Sequence, residues 1–216
     1  MQWIKSFNVP NKLTLIRIIL VIPIIILISI NATIFFANKD VLNQTNSLLA
    51  IMYLIFNILI FIIFITAMIT DYYDGKIARK NRIITAFGKL WDPLADKIMT
   101  TSVLIYLSVI SYTPIWSTVL FILRDIIVDG CRGLLIKNNQ EISANFWGKL
   151  KTLLMSFAIP ILLLFVIIMQ FIPNISYYHS YLYYWIYIIN IPLFIAQLFS
   201  LFSGYIYIKL ATKFFF

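Results

Sequence analysis

Apolar residues fill this chain in long runs, and the polar positions gather between them. A helix needs roughly 20 mostly apolar residues to cross a bilayer. Six such runs are present, about Leu13–Phe36, Ser47–Thr70, Phe87–Tyr112, Pro114–Ile136, Phe146–Ile172 and Tyr181–Leu210. The pattern predicts six transmembrane helices, the second continuing through Arg79. Val9-Pro10-Asn11 predicts a break before the first. Ahead of it, Trp3, Ile4 and Phe7 fit one face of a short N-terminal interfacial helix. Polar stretches at 37–46, 137–145 and 173–180 read as loops. There is no internal repeat and no linker. The fold class is all-α integral membrane, with residues 1–216 forming one membrane domain.

Composition strengthens that reading. Hydrophobic residues make up 62% of the 216 positions and charged residues 12%. A soluble domain is about 45–50% apolar and about 25% charged, so a soluble enzyme is excluded. The first run is too long for a signal-peptide core and lacks a small-residue cleavage site, so it reads as a retained span. Cys131 is the one cysteine, which rules out an intrachain disulfide, and His179 reads as an interfacial residue. The net charge of +9 marks loops facing the cytoplasm and anionic lipid or substrate rather than nucleic acid.

With six spans both termini share one side. That side holds Lys5, Lys12, the Lys76–Lys89 cluster, Lys137, Lys149, Lys151, Lys209 and Lys213, and the other holds Lys39 beside Asp40. The positive-inside rule places both termini in the cytoplasm. The aromatic cluster Tyr177–Tyr187 then falls in the outer interfacial belt. An abundance of Ile, Asn, Phe, Tyr and Lys suggests an AT-rich bacterial genome and hence a bacterial plasma membrane.

The chemistry is concentrated between spans two and three. Half of the eight acidic residues, Asp71, Asp74, Asp92 and Asp96, fall within 26 positions there. Carboxylates at the edge of a membrane core are costly and mark function. Asp71 and Asp74 share a helix face, as do Asp92 and Asp96 on the next helix. If those helices pack antiparallel, the two pairs face one pocket on the cytoplasmic side. Four carboxylates at close range need cations, and hard oxygen ligands suit Mg²⁺, Mn²⁺ or Ca²⁺. Two divalent ions match four aspartates in charge, and two-metal sites suit phosphoryl transfer. Gly75, Ala78 and Gly88 leave room for a bulky group, and Arg79 suits a phosphate oxygen. Pro93 is placed to loosen a turn at the site. Interfacial Asp–Lys pairs holding a loop would not require two glycines and an arginine at helical spacing.

The pattern D-x2-D-G-x2-A-R-x8-G-x3-D-x3-D is met at all eight fixed positions, Asp71, Asp74, Gly75, Ala78, Arg79, Gly88, Asp92 and Asp96. It resembles the signature of the CDP-alcohol phosphotransferases. That resemblance implies six transmembrane helices around a cytoplasm-facing polar cavity and a homodimer. It implies two divalent cations, Mg²⁺ or Mn²⁺, held by Asp71, Asp74, Asp92 and Asp96. It makes Asp96 the general base and assigns the CDP pocket to Asn11, Gly75, Ala78, Arg79 and Gly88.

The acceptor is narrowed by further stretches. Residues from Asn8 through Arg17, Asp92-Pro93-Leu94-Ala95-Asp96-Lys97, the segment from Arg124 to Arg132, and Gly148-Lys149-Leu150-Lys151-Thr152 resemble the phosphatidylglycerophosphate synthases of that family. The likeness covers most of residues 8–155. The chain departs from that group at Asp125, where Glu is usual, at Asp129, where a small residue is expected, and at Met155, where Gln is common. The acceptor's phosphate needs a basic pocket apart from the metals, and Arg124, Arg132, Lys149 and Lys151 are the expected glycerol 3-phosphate ligands. Asp125 or Asp129 is placed to neutralise part of that cluster. The substrates implied are CDP-diacylglycerol and glycerol 3-phosphate, drawn from membrane lipid and cytoplasm. Two alternatives stand beside this reading. One is a cardiolipin synthase of the same family taking phosphatidylglycerol. The other is a cation transporter, although transporter sites lie near the bilayer midplane and these acids lie at one face.

Overall fold

In the computed structural model, residues 9–37, 48–81, 86–138, 145–171 and 179–214 are described. They form seven α-helices: α1 Val9–Ala37, α2 Leu48–Asn81, α3 Ala86–Val109, α4 Ile115–Lys137, α5 Phe146–Met169, α6 His179–Ile189 and α7 Ile191–Ala211. A 3₁₀ turn, Thr212–Phe214, follows. There is no strand among the described residues. The interfacial helix expected at the N-terminus lies outside the described residues, as do most of the expected loops at 37–46, 137–145 and 173–180.

Four helices are long and apolar enough to cross a membrane, within Asn11–Ala37, Leu48–Ile77, Phe146–Met169 and Ile191–Phe214. These are the expected spans one, two, five and, in part, six. α3 and α4 have the length, at 24 and 23 residues, but not the composition. α3 carries Lys89, Asp92, Asp96 and Lys97, and α4 carries Arg124, Asp125, Asp129, Arg132 and Lys137. Many large apolar side chains on the four apolar helices point outward, among them Ile19, Ile22 and Ile26 of α1. Outward apolar side chains in such number suit lipid.

Two boundaries differ from expectation. α1 takes in Val9-Pro10-Asn11 ahead of the expected start of the span at Leu13, because proline in a first helical turn gives up no intrahelical hydrogen bond. The sixth apolar run is two helices rather than one, meeting at Asn190. Pro192 explains this, since its missing N–H and its ring cannot continue a helix past the carbonyl four residues back. Asn190 secures the join: its Nδ2 donates to the carbonyls of Ile186 and Tyr112, both at 2.8 Å.

The chain forms two compact units. The first comprises the described residues within Met1–Tyr106 and Leu163–Tyr178. Its helices bury one heptad-spaced stripe each. In α1 this runs Asn11, Thr14, Arg17, Val21, Ile24, Asn31, and in α2 it runs Tyr53, Asn57, Ile60, Phe64, Ala67, Asp74. In α3 it is Ala95, Met99, Val103 and Tyr106. The 3–4 spacing keeps each stripe on one side of its helix. Each stripe is apolar in its middle and polar toward its ends. At one end Asn31 donates to the Tyr106 hydroxyl at 2.7 Å, and that hydroxyl donates to Asn57 Oδ1 at 2.5 Å. This chain of bonds joins α1, α3 and α2. The aspartates lie at the other end.

The second unit comprises the described residues within Leu107–Leu162 and His179–Phe216. Val128, Cys131 and Leu135 of α4 pack with Tyr207 and Ala211 of α7. The lone cysteine is therefore a buried core residue. Buried Ser117 of α4 donates to Gln197 Oε1 of α7 at 2.7 Å. Trp147 of α5 stacks on Phe199 of α7. A Cβ on Gly148 would meet Ser203 Oγ at 3.2 Å, so the absence of a side chain there lets α5 approach α7.

Candidate functional site

The polar ends of the three stripes in the first unit converge on the four aspartates. α2 delivers Asp71 and Asp74 from its C-terminal turns, α3 delivers Asp92 and Asp96 from its N-terminal half, and α1 delivers Thr14 and Arg17. The facing of the two aspartate pairs is thus realised, with a third helix between them. Thr14 Oγ1 lies 3.1 Å from Asp74 Oδ2 and 2.5 Å from Asp92 Oδ1. Arg17 lies among the others. Its Nη1 donates to Asp96 Oδ1 at 2.7 Å, and its Nη2 stands 3.0 Å from Asp71 Oδ1 and 3.8 Å from Asp74 Oδ2.

Burial grades across this cluster. The side chains of Arg17 and Asp74 are 1% and 4% exposed, whereas those of Asp71 and Asp96 are 48% and 38% exposed. The cluster is therefore closed against α1 and open at Asp71 and Asp96, the side from which a substrate would reach it. One guanidinium against four carboxylates leaves the set strongly anionic. The donor chemistry, hard carboxylate and hydroxyl oxygens, fits Mg²⁺ or Mn²⁺. A hydroxyl has one proton, so Thr14 cannot donate to Asp74 and Asp92 at once, and a cation suits this oxygen group. Among the described residues, though, no three acidic, histidine or cysteine side chains form a group that could hold a metal ion. The guanidinium of Arg17 stands between them.

The other expected CDP-pocket positions lie on the same helices. Asn11 is buried, one turn of α1 before Thr14. Gly75 adjoins Asp74 on α2, and Gly88 precedes Asp92 by one turn of α3, both part-exposed. Ala78 and Arg79 belong to α2, but their side chains lie outside the described residues. α3 continues through Pro93 without a break.

The expected acceptor ligands belong to the second unit and have different partners there. Arg124 Nη1 and Lys151 Nζ both contact Asp125 Oδ1, at 2.8 and 2.5 Å. Arg124 Nε also donates to the Ser200 carbonyl at 2.8 Å. It crosses α7 at Gly204, where a Cβ would approach Arg124 Cγ to 3.3 Å. Arg132 is held differently, donating to the Tyr207 hydroxyl at 3.0 Å with its guanidinium 4.7 Å from that ring's centroid. Lys149 is exposed. Asp125 is thus the acid that offsets the basic pair, as the sequence allowed.

Sequence reasoning assigned no role to Thr14 or Arg17. The signal was available, since an arginine inside an otherwise apolar span is a functional residue by default, and Asn11, Thr14 and Arg17 recur at helical spacing.

Comparison with known proteins identifies a family and relatives. The model of the CDP-alcohol phosphatidyltransferase family matches residues 7–196. The CDP-diacylglycerol–glycerol-3-phosphate 3-phosphatidyltransferase of Mycoplasma pneumoniae is 37% identical over 213 residues, 98% of this chain and 89% of that protein. The enzyme of the same name from Bacillus subtilis is 38% identical over 158 residues, 73% of this chain and 77% of its own length. That from Rickettsia felis is 32% identical over 208 residues, 96% and 97% of the two chains. Matched over most of its length and carrying all four aspartates in one cluster, the chain belongs to the CDP-alcohol phosphatidyltransferase family.

Proposed function

We propose that this chain transfers the phosphatidyl group of CDP-diacylglycerol to glycerol 3-phosphate, giving phosphatidylglycerophosphate and CMP. The observation that carries the reaction class is the gathering of Asp71, Asp74, Asp92 and Asp96 at one end of α2 and α3. The acceptor follows from the relatives, whose shared name is that of this reaction. Asp96 takes the proton from the glycerol 3-phosphate hydroxyl. The resulting oxygen attacks the phosphorus joined to diacylglycerol, and the bond from that phosphorus to CMP breaks, CMP leaving with the electron pair. Two divalent cations, Mg²⁺ or Mn²⁺, held by Asp71, Asp74, Asp92 and Asp96 would offset the phosphate charge when bound. Asn11, Gly75, Ala78, Arg79 and Gly88 line the CDP pocket, the glycines and alanine by leaving room and Arg79 by pairing with phosphate. Arg124, Arg132, Lys149 and Lys151 recognise the acceptor's phosphate, the first and last by exchanging Asp125 for it. Positioning and electrostatics supply most of the rate.

The same reading makes the chain one membrane domain with six spans, α1 to α5 and α7. At 11 residues α6 is too short to cross and lies in the outer interfacial belt. A short interfacial helix precedes α1, both termini and the active site face the cytoplasm, and the protein is a homodimer. Light scattering in detergent checks the last point.

The test is CMP release by purified protein in detergent, supplied with CDP-diacylglycerol and Mg²⁺ or Mn²⁺, with and without glycerol 3-phosphate. Release requires glycerol 3-phosphate and metal and is lost in Asp96→Asn, whose fold is unchanged. Release with phosphatidylglycerol alone would make the chain a cardiolipin synthase. Metal flux without CMP release would make it a transporter.

A further inference from the structure

Arg17 is a buried cation with an unusual set of neighbours. It contacts three carboxylates from two helices, yet few of its donors are satisfied. Only the Nη1 bond to Asp96 has hydrogen-bond geometry, while Nε and Nη2 find no hydrogen-bond acceptor among the described residues. A guanidinium has five donors in a fixed fork, and buried donors left unmet are costly. An arginine whose task was structural would be expected to have its fork filled. This one is held by charge, within a set of oxygens whose chemistry suits divalent cations, and it stands among three of the carboxylates.

We infer that Arg17 is an exchangeable counter-ion of the aspartate cluster. It steadies the four carboxylates when no metal is bound and is displaced from Asp71 and Asp96 as divalent cations bind. The inference rests on the metal role given to the aspartates under the proposed function. Arg17 is a positioning residue in this account. It keeps Asp71, Asp74 and Asp96 in place at low metal concentration, and its competition sets the concentration at which the site fills. Displacement also frees its donors for an incoming anionic group, which couples filling of the site to arrival of a phosphate. Thr14 contacts Asp74 and Asp92, donating to one of them at a time, and does not compete, because it is neutral.

The readout is Mn²⁺ binding to the purified full-length chain without substrate, followed by the loss of the free-ion paramagnetic resonance signal. Thermal unfolding is measured beside it, with and without Mn²⁺. Arg17→Gln binds Mn²⁺ about tenfold more tightly than the parent, the order expected for losing one charge-assisted competitor. It also unfolds at a lower temperature without Mn²⁺ and recovers most of that loss when Mn²⁺ is added. Arg17→Lys keeps the charge but not the fork and falls between the two, and it carries the test if Arg17→Gln does not fold. A merely structural arginine gives the opposite result, unchanged or weaker Mn²⁺ binding in both variants, and that outcome overturns the inference while leaving the metal role standing. If neither the parent nor the variants take up Mn²⁺, both this inference and the metal role fail. Mn²⁺ uptake by Arg17→Gln alone would be its strongest support.

Discussion

A single carboxylate at position 125 sits between two basic side chains from different helices. Arg124 and Lys151 each contact the same oxygen of Asp125, and the Lys151 side chain is only 9% exposed. Removing the acid takes the carboxylate from a largely buried ammonium, a change that destabilises even where the intact pair adds little. Asp125→Asn is expected to lower unfolding stability by about 1–3 kcal/mol, read by thermal unfolding in detergent. Glycerol 3-phosphate should raise the midpoint of this variant more than that of the parent, because its phosphate replaces the missing charge. An unchanged response would remove Arg124 and Lys151 from the acceptor site.

Helices here are defined as much by their interruptions as by their apolar runs. The join at Asn190 rests on one buried side chain that donates to two carbonyls and accepts from Thr113 Oγ1 at 3.2 Å. Asn190→Ala removes the donor to the Tyr112 carbonyl and the acceptor of the Thr113 hydroxyl and is expected to cost about 1–3 kcal/mol, measured by the same unfolding experiment. The join was readable in Pro192, but the apolar run continues unbroken across it, and hydropathy registers length rather than direction. The aspartate pairs were legible because spacings of three and four fix a shared face within one helix. The contribution of α1 was not, since spacing within a helix says nothing about which neighbouring helix its polar stripe meets. For the same reason the basic residues of α4 and α5 could be listed but not their partners: Tyr207 meets Arg132, and Asp125 meets both Arg124 and Lys151. Tyr207 is 75 positions from Arg132 and Asp125 is 26 from Lys151.

The sequence carries its lysines and arginines unevenly, and the proposed orientation in the membrane rests on that asymmetry. Lys39 and Lys80 lie on opposite sides in the six-span reading. After Cys131→Ser, Lys39→Cys is expected to react in intact cells with a membrane-impermeant thiol reagent and Lys80→Cys only after the membrane is opened. The reverse pattern would invert the whole topology and put the aspartates outside. Scale also matters for length. Asn31, Asn57 and Tyr106, joined by hydrogen bonds, are each 14 residues from a member of the aspartate cluster on their own helix: Arg17 on α1, Asp71 on α2 and Asp92 on α3. Fourteen residues of helix span roughly 21 Å. Three rods of equal length are therefore fastened at both ends, once by neutral hydrogen bonds and once by charge. A frame built this way has a gauge: a single residue inserted in any one rod turns its far end by about 100° and leaves the other two unchanged. The end proposed to take substrate then inherits its alignment from a fastening about four turns away.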